Sequence, residues 1–164
     1  MFQPRFARRA AAAFAALAAS MLLAGCATAK PAACTPQPAL KTEPMDLVTS
    51  RGRTRLVVEM AETPHQHEVG MMCRSALAAD RGMLFDFHTP HEVAFWMHNT
   101  LIPLDMVFIG ADGRVFSIAS ARPRDDTPVP AGGPVRAVLE IPGGRAAQLG
   151  LLPGDRVLHR IFPK

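Results

Sequence analysis

Six side chains between Trp96 and Glu140 are the ones in this chain best suited to chemistry. Trp96, the only tryptophan, stands two residues before His98, and Asn99 and Thr100 follow directly. Asp105 comes just after the turn-forming Pro103, and Glu140 sits in a later apolar segment. An aromatic platform beside a few hydrogen-bonding groups is how small-molecule and sugar clefts are built. The same residues also make a self-contained turn, in which Asn99 and Thr100 bond backbone and Asp105 closes the loop through its carboxylate. Both readings stand at this level, since a rigid turn is a good scaffold for a site. As a cleft, the patch would take a small polar or glycan-like ligand without turning it over. The alternative is an enzyme acting on glycans, with Asp105 and Glu140 as acid and base. That requires the two carboxyls to face each other across a gap, which spacing does not show.

Other chemistries find less support. His65 and His67 are two apart on an expected helix and so do not share a face. His88, His91 and Glu92 fall in a loop, His98 is a strand away, and neither Cys-x-x-Cys nor His-x-x-x-His occurs. No metal site is expected from that pattern. Nor is a cofactor, because Gly143-Gly144-Arg145 is the nearest approach to a phosphate loop and a strand-to-helix turn explains it. The nine methionines invite a copper reading, but most occupy apolar positions where Met fills core. Cys73 has Met neighbours on the expected helix and reads as a small hydrophobe, not a catalytic thiol.

The elements that must position these residues are short and mostly β. Met45 to Val48 and Arg55 to Ala61 flank the turn-like Ser50-Arg51-Gly52-Arg53, which predicts a hairpin. Thr63, Pro64 and Gln66 form a capping box with proline at the first helical position. The helix is expected to run to Cys73 or Arg74, with Leu77 to Gly82 as loop. Met83 to Phe87 and Glu92 to His98 read as two strands separated by His88-Thr89-Pro90-His91. In the second, Trp96 and His98 would point one way and Val93, Phe95 and Met97 the other. Asp105 to Ile109 and Arg114 to Ala119 flank Asp112-Gly113, a strong hairpin signal. Arg122 to Pro134 is expected as a long surface loop, and Val135 to Ile141 alternates as a strand. Arg145 to Leu149 is a short helix stopped by Gly150, and Asp155 to Phe162 a last strand. The sum is an α+β domain, mainly β, built as a compact sandwich or partly closed barrel with one or two short helices.

Gly70-Met71-Met72-Cys73-Arg74, Gly82-Met83-Leu84-Phe85, Phe95-Trp96-Met97-His98-Asn99-Thr100 with Ile102-Pro103-Leu104-Asp105, Val138-Leu139-Glu140 before Gly143-Gly144, and Gly154-Asp155 follow in order. This series resembles the family known as domain of unknown function 192, over nearly the whole stretch from Met45 onward. The chain departs from the family pattern at Met71, where Leu is frequent, and at Cys73, where an aromatic is common. The resemblance implies one β-rich domain and no established activity.

Where the domain works is written at the other end of the chain. Arg5, Arg8 and Arg9 precede an apolar run from Ala10 to Leu23, and Leu23-Ala24-Gly25-Cys26 closes it. The layout is that of a secretory signal, and the last four residues resemble a bacterial lipobox, which implies acylation of Cys26. The expected organisation is a leader over 1–25, a Pro-rich linker over 26–44 and a β-rich domain over 45–164. The implied location is the cell envelope, facing the periplasm. The absence of Asp after Cys26 favours the outer membrane by the sorting rule of Gram-negative lipoproteins. The membrane is then a partner through lipid alone, and no protein partner is implied. The full chain has 18 Lys and Arg against 14 Asp and Glu; without the three leader arginines the balance is 15 against 14, a net +1. So even a balance argues against a nucleic-acid partner. Cys34 and Cys73 remain as a disulfide or as two thiols, since sequence does not give the distance between their backbones.

Overall fold

The computed structural model describes residues 34–163, so the leader and Cys26 lie outside the described residues. Strands β1 (Thr42–Thr49) and β2 (Gly52–Ala61) form the expected hairpin across Ser50-Arg51. Helix α1 (Pro64–Val69) begins on the expected capping box: Thr63 Oγ1 accepts from the Gln66 N–H at 3.3 Å, and the Gln66 side chain accepts from the Thr63 N–H at 3.0 Å. The helix is shorter than expected. Gly70 ends it at φ +46°, and a Cβ there would lie 3.1 Å from the Phe85 ring, so only glycine fits.

A single strand β3 (Arg81–Phe95) replaces the two expected ones. It shifts register between Asp86 and His91, and His88 adopts φ +62° there, so the predicted break is a bulge inside one strand. Strands β4 (Leu104–Ile109) and β5 (Val115–Ala121) make the second predicted hairpin. Strand β6 (Val129–Pro142) starts well inside the stretch expected as loop, because Val129 and Pro130 pair with Phe95 and Ala94 at the far end of β3. Helix α2 (Arg145–Leu149) ends at Gly150 as expected, and β7 (Arg156–Leu158) is a short remnant of the predicted last strand.

The strands lie in the order β5-β4-β6-β3-β2-β1-β7. Every pairing is antiparallel except β2 with β3, whose crossover contains α1. The sheet curls until its two edges touch: the Val157 N–H donates to the Gly113 carbonyl, the Val115 N–H to that of Asp155, and Arg114 bridges Arg156. This is the partly closed barrel of the two architectures expected.

Two apolar layers result. The concave side holds Met45, Leu47, Leu56, Val58, Leu84, Val107, Leu139 and Ile141. The convex side holds Met83, Phe85, Met106, Phe108 and Val138, with Met71 and Met97 packed over them. Met45, Met60, Met71, Met83, Met97 and Met106 are all buried, as core filler should be.

Residues expected as spacer begin this outer cover. Cys34 is disulfide-bonded to Cys73 with Cα atoms 5.3 Å apart, the Gln37 side chain donates to the Gly70 carbonyl, and the Leu40 N–H donates to Glu59. A bridge spanning 39 positions should stabilise by about 4 kcal/mol through the unfolded chain. Replacing both cysteines by serine should therefore lower the urea midpoint clearly. Reductant should bring the wild type to that midpoint and leave the double variant unmoved. Equal midpoints for the oxidised wild type and the variant would show that the bridge carries no stability.

Candidate functional site

The convex layer leaves a groove of about 350 Å³ open between α1 and the end of β3. His67 and Glu68 of α1 form one wall; Phe87, Val93 and Phe95 of β3, with Trp96, form the other. The rings brace one another edge to face. Phe95 meets Phe85 at 5.0 Å between centroids, and His67 meets Phe87 at 5.0 Å. Trp96 remains 52% exposed, and its ring stacks on His98 with centroids 5.1 Å apart. His98 is held in turn by Nδ1 against Asp126 at 3.0 Å, so the platform has a fixed back.

Beneath the groove, sharing the His67, Glu68, Phe95 and Trp96 walls, is a small cavity of about 30 Å³. Gly70, Met71, Thr100 and Glu140 complete it. Glu140 is 4% exposed, and its Oε2 is buried without a hydrogen-bond partner. Burial pushes its carboxyl from 4.5 up to about 8, against a lowering pull from Arg74. Glu140 is thus mainly a neutral acid at neutral pH, able to donate as well as accept. Arg74 is committed elsewhere, to a bidentate pair with Glu59 at 2.5 and 2.8 Å. Burial raises the Glu59 carboxyl, but the Arg74 bonds and the Leu40 N–H hold it below its ordinary value. His67 donates Nε2–H to the Ala61 carbonyl at 2.9 Å, and burial lowers its pKa, leaving a neutral ring with Nδ1 as acceptor.

The six sequence-picked residues divide. Trp96, Thr100 and Glu140 line this one cavity, and His98 joins them through the stack on Trp96. That stack does not come from strand alternation, because β3 ends at Phe95. Asn99 belongs to a turn at φ +52°. Its carbonyl accepts from the Cys73 N–H, and the Thr100 carbonyl accepts from the Arg124 N–H. For these two residues the turn network is real, and Thr100 serves both turn and cavity.

Asp105 is elsewhere. In the β4–β6 ladder Met106 is opposite Glu140 and Asp105 is opposite Ile141. Directly opposed residues share a face and neighbours along a strand do not, so the two carboxyls lie on opposite sides of the sheet. The acid/base pairing of Asp105 with Glu140 is therefore ruled out by register. Asp105 instead accepts from Ser120 Oγ at 2.7 Å and from the Ala146 N–H at 2.8 Å. It caps α2 from a distance, where Gly144 provides no side chain to do so.

Glu59, Glu68, His67 and Arg74 were not singled out by sequence reasoning. The one available signal was the short spacing of His67 and Glu68 after the capping box, which puts them at the exposed end of a very short helix.

A family model described as an uncharacterised ACR, domain of unknown function 192, matches residues 47–159. The chain belongs to this family. Two solved structures are similar to this member. One, from Novosphingobium aromaticivorans DSM 12444, is a protein of unknown function, 44% identical, covering 79% of this chain and 94% of its own, with a TM-score of 0.72. The other, from Sinorhizobium meliloti 1021, is described as a candidate transcription regulator and is 40% identical. It covers 74% of this chain and 96% of its own, again with a TM-score of 0.72. No curated protein matches the chain.

The buried acid of this family member sets a pH dependence. Below pH 4.5 Glu140 is protonated folded or unfolded; between 4.5 and about 8 only the folded chain keeps the proton. Stability should fall with rising pH across that window and level off above it. Glu140→Gln should remove this component and exceed the wild type at pH 9 by roughly 4 kcal/mol. Urea melts of both proteins at pH 4 and pH 9 check it, and parallel pH profiles would refute it.

Proposed function

We propose that this chain is a lipid-anchored envelope module that binds a small, glycan-like ligand in the groove beside Trp96 and does not transform it. The observation that carries the reading is the partly exposed Trp96, held from behind by His98 and walling both the groove and the small cavity that the unpartnered Glu140 carboxyl lines. A sugar ring offers what such a groove takes: an apolar face for the indole and polar groups for the floor. The volume suits one or two rings of ligand, with His67 and Glu68 at the rim.

The envelope placement is supported by the leader and the Leu23-Ala24-Gly25-Cys26 sequence. The Cys34–Cys73 bridge suits an oxidising compartment. Two or three acyl chains on Cys26 hold a protein stably, whereas one is marginal. Ala27 after Cys26 favours the outer membrane. The description of the Sinorhizobium relative is not carried over, since a mature chain of net +1 carries little of the overall positive charge that favours DNA.

Two measurements test the two halves separately. Mass spectrometry of the protein from its native membrane should find an N-terminus at Cys26 bearing acyl chains, and an intact leader on soluble protein would overturn the anchor. Titration of intrinsic fluorescence, for which Trp96 is the only indole, should give a saturable change with a member of a panel of cell-wall sugars and small metabolites. A flat response across that panel, alike in wild type and Trp96→Phe, would overturn the groove.

A further inference from the structure

The chemical character of the groove is narrower than that of a general sugar cleft. Its walls include Phe87, Phe95 and Trp96, aromatic rings of the kind that attract cations. Glu68 stands at the rim and Glu140 at the floor, and no lysine or arginine lines either the groove or the cavity beneath. The nearby Arg74 has its charge matched by both oxygens of Glu59. The histidine in the wall, His67, has its Nε2–H on Ala61 and turns an acceptor, not a cation, to its other side. The ionisable groups that line the space, Glu68, Glu140 and a neutral His67, thus include no cation.

The lower cavity is small. Its roughly 30 Å³ is the space of one water-sized group, which a primary ammonium matches more nearly than a trimethylammonium or a guanidinium does. The buried Oε2 of Glu140 lacks a partner and lines that cavity, and burying a polar group unpaired is costly unless something completes it.

Resting on the groove reading above, we propose that the ligand carries a primary ammonium, as an amino sugar does, which enters the lower cavity against Glu140 while the ring lies on Trp96. Glu140 is the anchor of that head group: the incoming ammonium favours the carboxylate, so Glu140 gives up its proton to solvent on binding, and Thr100 shapes the pocket around it. The aromatic walls stabilise the charge on the way in and hold the body of the ligand outside.

The test uses the processed, acylated protein in detergent and follows Trp96 fluorescence during titration with D-glucosamine, D-glucose and N-acetyl-D-glucosamine. These share one ring and differ only in whether the 2-position is an ammonium, a hydroxyl or an amide. Glucosamine should bind at least tenfold tighter than the other two. Glu140→Gln, which keeps the side-chain shape, should lose at least tenfold of the glucosamine affinity and with it the preference for glucosamine over glucose. Equal affinity for all three sugars would overturn the ammonium and leave the groove standing. A glucosamine preference unchanged in Glu140→Gln would overturn the assignment to the lower cavity. Silence with all three sugars, alongside a response to some other compound of the wider panel, would overturn the amino-sugar inference alone.

Discussion

Strands β3, β4 and β6 carry large apolar side chains on both faces, and the fold is organised around covering the second of them. The concave face is solved by curling the sheet until its edges meet at Gly113–Val115 and Asp155–Val157. The convex face has no second sheet. Met83, Phe85, Met106, Phe108 and Val138 would be left in water, each worth about 1.5–3 kcal/mol when buried. They are covered piecemeal by the turn after α1, the turn around Met97, the arm of β6 and the segment from Cys34 to Leu40. A cover assembled from short pieces has seams, and the groove beside Trp96 is the seam between α1 and β3.

Glu140 owes its character to the same arrangement. It occupies one row of the convex face with Met106, Met83 and Glu59 as successive neighbours across the strands. Two acidic residues in an apolar row need separate solutions. Glu59 receives Arg74, whose guanidinium comes from the covering loop, whereas Glu140 receives no such partner and stays protonated. The contrast with Asp105 is sharper still. One residue of register sends Asp105 to the other face, where a hydroxyl and a helix amide meet both of its oxygens. One carboxyl has become a structural cap and the other an unmatched group at the end of a groove.

Local signals were legible in the sequence wherever one element could be read by itself. The capping box at Thr63, the Asp112-Gly113 hairpin and the helix stop at Gly150 are all present as read. Errors came where a distant segment decides the outcome. His88 to His91 looked like a break because its residues favour turns, but β6 pairs on both sides of the bulge and keeps β3 whole. Val129 to Pro134 looked like loop because of its prolines and glycines, yet it is held by the far end of β3. Trp96 and Thr100 come together through sequence order alone, and Glu140 lines the same cavity through the pairing of β6. Asp105 was grouped with them wrongly, since facing is set by the register of β4 on β6. Glu59–Arg74 and Cys34–Cys73 depend on how the cover folds down, which no spacing encodes.

The disulfide also sets the length of a leash. In the acylated form proposed, Cys26 is fixed in the bilayer and Cys34 is fixed to the domain, so seven residues, eight Cα–Cα steps, are all that separate lipid from protein. Fully extended, these steps span at most about 28 Å, less than the roughly 36 Å diameter of a compact domain of this size. In that form the module would stand off from the membrane surface by less than its own width, and its ligands would be those within that distance of the headgroups. Opening the bridge would leave the segment held by the Gln37 and Leu40 hydrogen bonds and lengthen the leash only part of the way to β1.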